Sequence, residues 1–243
     1  MKEVTTKLPA GKIAEINEVV QKVISEHKIV LANAFIFIEA ESLSLNDSFM
    51  MHKPCTKAEK KAKKLITEAI KAGVKNFYRP IMDPSFTDDG IGYVAGKTPA
   101  VGKSYNWWFN TAKEYDPSRN SRLGTRLEYG AFLGVLIKKL AEEGNSVEWA
   151  WNAVCNNSEE LGHYRNSKNS KHWFEPVGSR CICGFYDLAD TYKILADDVK
   201  EDEFWLAGGY FNDYSYVYPL ADLYHNTLRN SEHYNSVGWL VLS

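Results

Sequence analysis

The C-terminal part of the sequence, from Val147 to Ser243, most constrains what this chain can fold into. It lacks the regular apolar spacing that marks a long helix and consists of short apolar runs between Trp, Tyr, Gly and Asn. This pattern predicts short strands joined by long loops. Long loops are uncommon in a compact domain unless they are functional or held by a special scaffold. Long helices are therefore expected only in the part of the chain that precedes residue 147.

A capping box predicts one helix in that earlier part. Thr56 and Glu59 form the T-x-x-E pattern, in which each side chain binds the other residue's backbone N–H, and Gly73 is a suitable stop. Its apolar face comprises Leu65, Ile66 and Ile70. The same segment carries a run of lysines with acidic residues interspersed and no aromatic platform, so we interpret it as a solvated face and not as a nucleic-acid patch. These lysines are Lys57, Lys60, Lys61, Lys63 and Lys64.

A second capping box, at Thr125 and Glu128, predicts a helix that ends at Gly144. The residues expected to face inward are Leu127, Phe132, Leu136, Ile137 and Leu140. A shorter helix is predicted over residues 106–115. Residues 78–104 are predicted to be loop and turn because they are rich in proline and glycine.

The first 39 residues are predicted to form a helix followed by a strand. Apolar residues three or four positions apart indicate a helix over residues 10–27, namely Ile13, Ile16, Val20 and Val23. This helix either packs on its own domain or forms a short coiled coil that makes a homo-oligomer. The run 29–38 is typical of a buried strand. The chain does not begin with the pattern of a secretory signal, so we expect it on a virion, exported by another route, or in the cytoplasm.

Composition excludes several classes of partner and site. The formal net charge of −2 gives no general attraction to nucleic acid, and no apolar run approaches the roughly 20 residues of a membrane helix. The histidines do not follow the spacing of a zinc site. The cysteines are interpreted as reduced and structural, since the C-x-C pair is too close for a comfortable disulfide and would share one face of a strand. They are Cys55, Cys155, Cys181 and Cys183. Most tryptophans are expected to anchor the core and its loops: Trp107, Trp108, Trp149, Trp151 and Trp173.

A series of short phrases occurs in a definite order along the chain. The series consists of Pro99-Ala-Val-x-x-Ser104, Arg122-Leu-Gly-Thr-x-x-Glu128-Tyr129, Pro176-Val-Gly-Ser179, Gly184-Phe-Tyr-Asp-Leu188, Gly208-Gly209 after Trp205, and Gly238-Trp-Leu-Val241. This order resembles the formylglycine-generating enzyme (sulfatase-modifying factor) family, a branch of the C-type lectin fold. The resemblance covers residues 40–243. It implies an α+β, C-type-lectin-like fold of short strands and long loops, here preceded by an N-terminal helix.

The departures from the family pattern change the expected function. The catalytic members hold copper with a pair of cysteines late in the domain, whereas here no cysteine follows Cys183. Because a thiolate is needed to bind soft Cu(I), the resemblance implies a protein that is not an oxidase, and we expect no cofactor. The family's continuation after Asp187 is also lost. Asp187 and Asp190 remain as oxygen ligands for a calcium ion, without further support.

The segment that takes the place of the catalytic region, residues 210–235, is rich in Tyr and Asn. Tyr offers a large contact area with only two χ angles to order, and Asn and Ser add adaptable hydrogen bonds, which is the composition of antibody paratopes. The alternation at Tyr214, Tyr216 and Tyr218 also fits one packed strand. We expect ligand contacts from the following residues: Tyr210, Phe211, Asn212, Asp213, Tyr214, Tyr216, Tyr218, Tyr224, Asn226, Asn230, His233 and Tyr234.

The segment also resembles the variable region of the diversity-generating retroelement variable proteins, which use this fold. The expected function is display of a diversified surface that binds a protein or glycan on another cell or particle, as in a phage receptor-binding tip or an adhesin. Two alternatives stay open. One is an enzyme of the same superfamily with altered chemistry, for which Asp213, Asp222, His225 and His233 are the nearby titratable residues. The other is a structural virion protein with its tyrosines buried between subunits.

Overall fold

The computed structural model describes residues 35–161, 181–183, 185, 186, 188, 191–200, 203–209, 214–216, 219–227 and 229–243. The predicted helix over residues 10–27, the start of the strand at residue 29 and the proposed oligomer contact lie outside the described residues. So do the phrase at 176–179, Trp173, Asp187 and Asp190. The described part is a mixed helix and sheet structure, as the sequence predicts.

The capped helices are confirmed. Helix α1 spans Lys57–Lys71, and its N-cap Thr56 accepts a hydrogen bond from the backbone of Glu59. Gly73 follows this helix with φ +64°, a left-handed conformation that suits glycine. Among the predicted solvated lysines, Lys63 is half-buried and its ammonium donates to the His52 carbonyl at 2.6 Å. The other lysines of that run are exposed.

Three further helices follow along the described chain. They are α2 (Tyr105–Tyr115), α3 (Arg126–Glu142) and α4 (Val147–Cys155). The first two agree with the prediction, and α3 buries its predicted inward residues except Leu127, which is half-buried. Helix α4, which has nine residues, corrects the expectation of only short strands and long loops after residue 147. Ser146 caps it by accepting from the Trp149 backbone at 3.0 Å.

The strands of the N-terminal part correct the prediction of loop and turn over residues 78–104. Strand β1 (Phe35–Ile38) pairs antiparallel with β2 (Phe77–Pro80), and β3 (Ser85–Thr87) pairs with β4 (Gly90–Gly92) as a hairpin. The prolines did not prevent these pairings because Pro80 ends its strand and Pro84 precedes the next. Strand β5 (Arg122–Leu123) follows α2.

The C-terminal part forms the largest described sheet. Its strands are β8 (Tyr192–Lys200), β9 (Glu203–Ala207), β10 (Leu223–Thr227) and β11 (Ser236–Gly238), in the order β10-β9-β8-β11. Strand β12 (Leu240–Val241) pairs with β5, and β6 (Cys181–Ile182) pairs with β7 (Phe185–Tyr186). Cys183 lies after β6 with φ +50°, so the C-x-C pair does not share one strand as expected.

Cys55 and Cys155 carry free thiols. Cys155 is fully buried in α4, and burial raises the pKa of its thiol. Cys55 is exposed at the N-terminal side of α1, so the expectation of structural cysteines does not extend to it.

Two glycines of the resemblance phrases are required by close packing. A Cβ on Gly124 would lie 2.3 Å from the Trp239 ring, and one on Gly238 would lie 2.6 Å from the Trp108 ring. Trp108 is fully buried and Trp239 is nearly so. These contacts join α2, β5 and the C-terminal strands into one packed framework.

The loop that leads into α3 holds a partly buried ion pair. Two nitrogens of Arg122 donate to the Glu128 carboxylate at 2.6 and 2.8 Å, and the Thr125 backbone donates to it at 2.8 Å. Burial alone would raise the pKa of Glu128, but these hydrogen bonds outweigh it and hold the pKa below its ordinary value.

Among the described residues, no helix has the length and hydrophobicity needed to cross a bilayer.

Candidate functional site

The first part of the candidate surface is a turn at Tyr214–Tyr216, which we call the first display turn. Tyr214 is 38% exposed and Tyr216 is 60% exposed, whereas Ser215 between them is fully buried. The two rings lie against each other with centroids 5.4 Å apart. The segment is a turn and not the packed strand that the alternation of tyrosines permits.

The end of α4 holds the first display turn in place. The Ser215 hydroxyl donates to the side-chain oxygen of Asn157, and the Ser158 backbone donates to the Ser215 carbonyl at 3.4 Å. The Ser158 hydroxyl donates to the Ala153 carbonyl at 2.7 Å and accepts from the Leu220 backbone at 2.8 Å. The turn is therefore fixed at its centre while its tyrosines remain at the surface.

The second part of the surface is the segment Glu232–Tyr234, which we call the second display turn because a turn begins at Tyr234, directly after the bridge between His233 and Lys103. Tyr234 is 73% exposed and its hydroxyl donates to the Glu232 carboxylate at 2.7 Å. His233 between them is buried, and its ring lies against Phe204 with centroids 5.0 Å apart. The pattern of exposure repeats that of the first turn, with exposed residues on both sides of a buried one.

The loop before α2 holds the second display turn. The Gly102 backbone donates to the His233 carbonyl at 3.0 Å, and the His233 backbone donates to the Lys103 carbonyl at 3.3 Å. Nearby, the side-chain amide of Asn106 donates to the Asn230 side chain at 2.5 Å. The resemblance phrase that ends at Ser104 is therefore hydrogen-bonded to His233 of the predicted binding segment.

Sequence reasoning missed an aromatic group beside this second turn. The Lys103 ammonium lies 5.3 Å from the ring centroid of Phe86 and 5.4 Å from that of Trp107. Phe86 is 45% exposed and Trp107 is half-buried. These residues lie far from 210–235 in sequence, so no local pattern signalled that they would lie around Lys103, which pairs with His233.

The other predicted contact residues have different surroundings. Tyr224 is half-buried in β10, with its ring edge-on to Tyr192 at 5.2 Å. Asn226 lies in the same strand, and its side chain is outside the described part. Asn230 is exposed. The remaining predicted contacts lie outside the described residues: Tyr210, Phe211, Asn212, Asp213 and Tyr218.

Of the four titratable groups named for the enzyme alternative, Asp213 and the side chain of His225 lie outside the described part. The other two, Asp222 and His233, lie on different supports. Asp222 precedes β10, where its carbonyl accepts from the Gly208 backbone at 3.0 Å, whereas His233 packs on Phe204. Burial raises the pKa of Asp222, and the charge of Lys61 partly offsets the shift. Among the described residues, no group of three or more His, Cys, Asp or Glu is placed to hold a metal ion.

Comparison with known proteins gives limited information. No family model matches the sequence, and no curated protein matches it. Among solved structures, CarF is similar with a TM-score of 0.47 at 12% identity, over 70% of this chain and 87% of that one. PvdO from Pseudomonas aeruginosa is similar with a TM-score of 0.48 at 12% identity, over 70% of this chain and 81% of that one. Neither similarity identifies a family or an activity.

Proposed function

We propose that this protein binds a protein or glycan on another cell or particle through the side chains displayed by residues 210–235. The observation that carries the proposal is the repeated pattern of exposure in the two display turns, in which exposed side chains flank a buried anchor: Tyr214 and Tyr216 in the first, Glu232 and Tyr234 in the second. An anchored backbone loses little conformational freedom when a ligand binds, and rigid tyrosines contribute contact area at low entropic cost. This arrangement favours binding over catalysis.

The scaffold is proposed to be a C-type-lectin-like domain of the formylglycine-generating-enzyme type. What supports this is the packing of the resemblance phrases on each other. Gly124 of one phrase packs against the ring of Trp239 from another. The Arg122–Glu128 ion pair closes the turn that joins β5 to α3. Phrases that are distant in sequence therefore build one framework next to the display turns.

The segment is also proposed to be a retroelement variable region, on a phage receptor-binding tip or an adhesin. Side chains at positions such as 216 and 234 point to solvent, so substitution there leaves the anchors unchanged. Sequencing of the neighbouring DNA tests this part. We expect a near-copy of the 3′ end that has adenines at the differing positions, beside a reverse transcriptase gene. Their absence would remove the retroelement but not the binding role.

An array of glycans and purified surface proteins tests the binding role. The full chain is compared with the double variant Tyr216→Ala/Tyr234→Ala. We expect the wild-type protein to give reproducible binding that falls at least about tenfold in the variant, because a central aromatic contact commonly contributes 2 kcal/mol or more. Tyr78→Ala is the control, since Tyr78 is another exposed tyrosine, at 45%, but lies on β2.

Binding that survives in the double variant, or is lost equally in the Tyr78 control, would contradict the proposed surface. An array on which the wild-type chain binds nothing would count against the binding role itself.

The proposed oligomer is tested separately by light scattering of the full chain and of Ile16→Asp/Val20→Asp. We expect a lower mass for the variant, and equal masses would exclude a contact through residues 10–27.

A further inference from the structure

A cleft lies away from the display turns, between residues 48–55 and the start of α4. Its volume is about 530 Å3. It is lined by Ser48, Met51, His52, Lys53, Cys55, Val147 and Glu148. Lys53 and Glu148 are both exposed and carry opposite charges. The cleft therefore has no strong net charge of its own, and its chemistry is set by the other side chains.

Three side chains with sulfur or nitrogen donor atoms line this cleft, and they lie within five consecutive residues. Met51 is 61% exposed, although it is a large apolar side chain that would ordinarily be buried. Cys55 is exposed and is not in a disulfide. The His52 ring lines the same cleft. A thioether, an imidazole and a thiol thus open onto one space.

The orientation of His52 is fixed by groups on its other side. Its side chain is 8% exposed, its ring is stacked on Trp151 with centroids 5.4 Å apart, and its Nε2 lies 3.4 Å from the Glu59 carboxylate. The Glu59 carboxylate accepts hydrogen bonds from the Cys55 backbone at 2.6 Å and from the Asn156 side-chain amide at 2.7 Å. Among the described residues, the ring meets its hydrogen-bonding partner through Nε2, and the side chain lines the cleft. A histidine that a carboxylate holds through one ring nitrogen is the usual arrangement of a metal ligand, which binds the ion through the other nitrogen.

The donor types decide which ion fits. Zinc takes three or four ligands from His, Cys, Asp and Glu, and the described residues contain no group of three or more of these placed to hold a metal ion. Calcium and magnesium take mostly oxygen ligands, which Met51, His52 and Cys55 do not offer. Thiolate and thioether sulfur favour Cu(I), and imidazole also binds copper. We propose that this cleft is a Cu(I) site formed by Met51, His52 and Cys55, with Glu59 as the residue that positions His52. The site shares no residue with the display turns, so this proposal does not depend on the binding role.

Anaerobic competition of the reduced, full-length protein against a chromogenic Cu(I) chelator tests the site. The two thiols of the C-x-C pair could compete for Cu(I), so the measurement uses a Cys181→Ser/Cys183→Ser background. We expect one Cu(I) per chain, an affinity at least about tenfold lower after Cys55→Ser, and a smaller loss after Met51→Leu. Met50→Leu is the matched control, because Met50 is the adjacent methionine and is buried.

His52→Ala alters a packed ring, so its thermal unfolding is recorded beside its affinity. We expect at least an equal loss of Cu(I) binding at a temperature where the variant is still folded. X-ray absorption of the loaded protein is expected to show sulfur together with nitrogen in the first shell. Cu(I) binding unchanged by Cys55→Ser, binding that depends only on the C-x-C pair, or equal loss in Met50→Leu would overturn the proposal. Tighter binding of Zn2+ than of Cu(I) in the same background would also overturn it.

Discussion

The two display turns share one pattern of exposure but are held by different means. In the first, Ser215 is a small buried residue that depends on hydrogen bonds to the end of α4. In the second, His233 is a large buried residue that packs on Phe204 and joins the loop before α2 through backbone bonds. Ring packing contributes more free energy than a single hydrogen bond between polar side chains. The second turn is therefore expected to be the more rigid of the two, and the first the more adaptable.

The largest expected effect is that of removing the second anchor. His233→Ala deletes a buried ring against Phe204, and we expect a loss of about 2–3 kcal/mol in the free energy of unfolding. Urea denaturation measures it. Glu232→Ala is the adjacent control and is expected to change stability by less than about 0.5 kcal/mol, because Glu232 is exposed. Equal effects of the two substitutions would remove the distinction between anchor and displayed residue.

A smaller effect is expected at the support of the first turn. Ser158→Ala removes a buried hydroxyl that accepts from the Leu220 backbone at 2.8 Å, which leaves a buried N–H without that partner. We expect a cost of about 1–3 kcal/mol. Hydrogen exchange is expected to show faster exchange at residues 214–221 and unchanged exchange at 229–236. Faster exchange at both turns would show that they are not held separately.

Ser215→Ala is expected to have a still smaller effect. The substitution removes the bond to Asn157, whose side chain is exposed and can bind water instead. We expect a loss of about 0.5–1.5 kcal/mol, measured by the same denaturation. A loss larger than that of His233→Ala would reverse the proposed order of rigidity.

The smallest effect concerns the partly buried carboxyl group of Asp222, which directly precedes β10. Burial raises the pKa of Asp222 in the folded state, so ionisation of this group opposes folding. The stability it contributes is present below the pKa of the unfolded chain and is lost as pH rises through the folded pKa. We therefore expect Asp222→Asn to melt at a higher temperature than the wild type at about pH 7 and at a similar temperature at about pH 3. A variant that is less stable at neutral pH would contradict this account.

The sequence predicts helices best where local chemistry marks their ends. The capping boxes at Thr56 and Thr125 and the glycines after the helices place α1 and α3 to within a few residues. Helix α4 was missed because its tryptophans suggested loops. Its signals were present in the cap at Ser146 and in apolar residues at helical spacing, of which Ala150, Trp151 and Val154 are buried.

The candidate site is predictable only in part. The exposure of Tyr216 and Tyr234 agrees with a surface inferred from composition. The partners that hold the turns come from distant segments, such as Asn157 and Lys103, and no periodicity within residues 210–235 indicates them. The burial of His233 likewise follows from its packing on β9 and not from its own neighbours in sequence.

Hydroxyl-radical footprinting of the intact protein in solution tests the central claim most directly. Tyr216 and Tyr234 are expected to react at least about tenfold faster than Tyr105 and Tyr129, which are 2% and 1% exposed. That result would establish that the displayed tyrosines stay accessible in whatever assembly the chain forms. Protection of Tyr216 and Tyr234 to the level of Tyr129 would contradict the account, because it would place them inside the fold or between subunits.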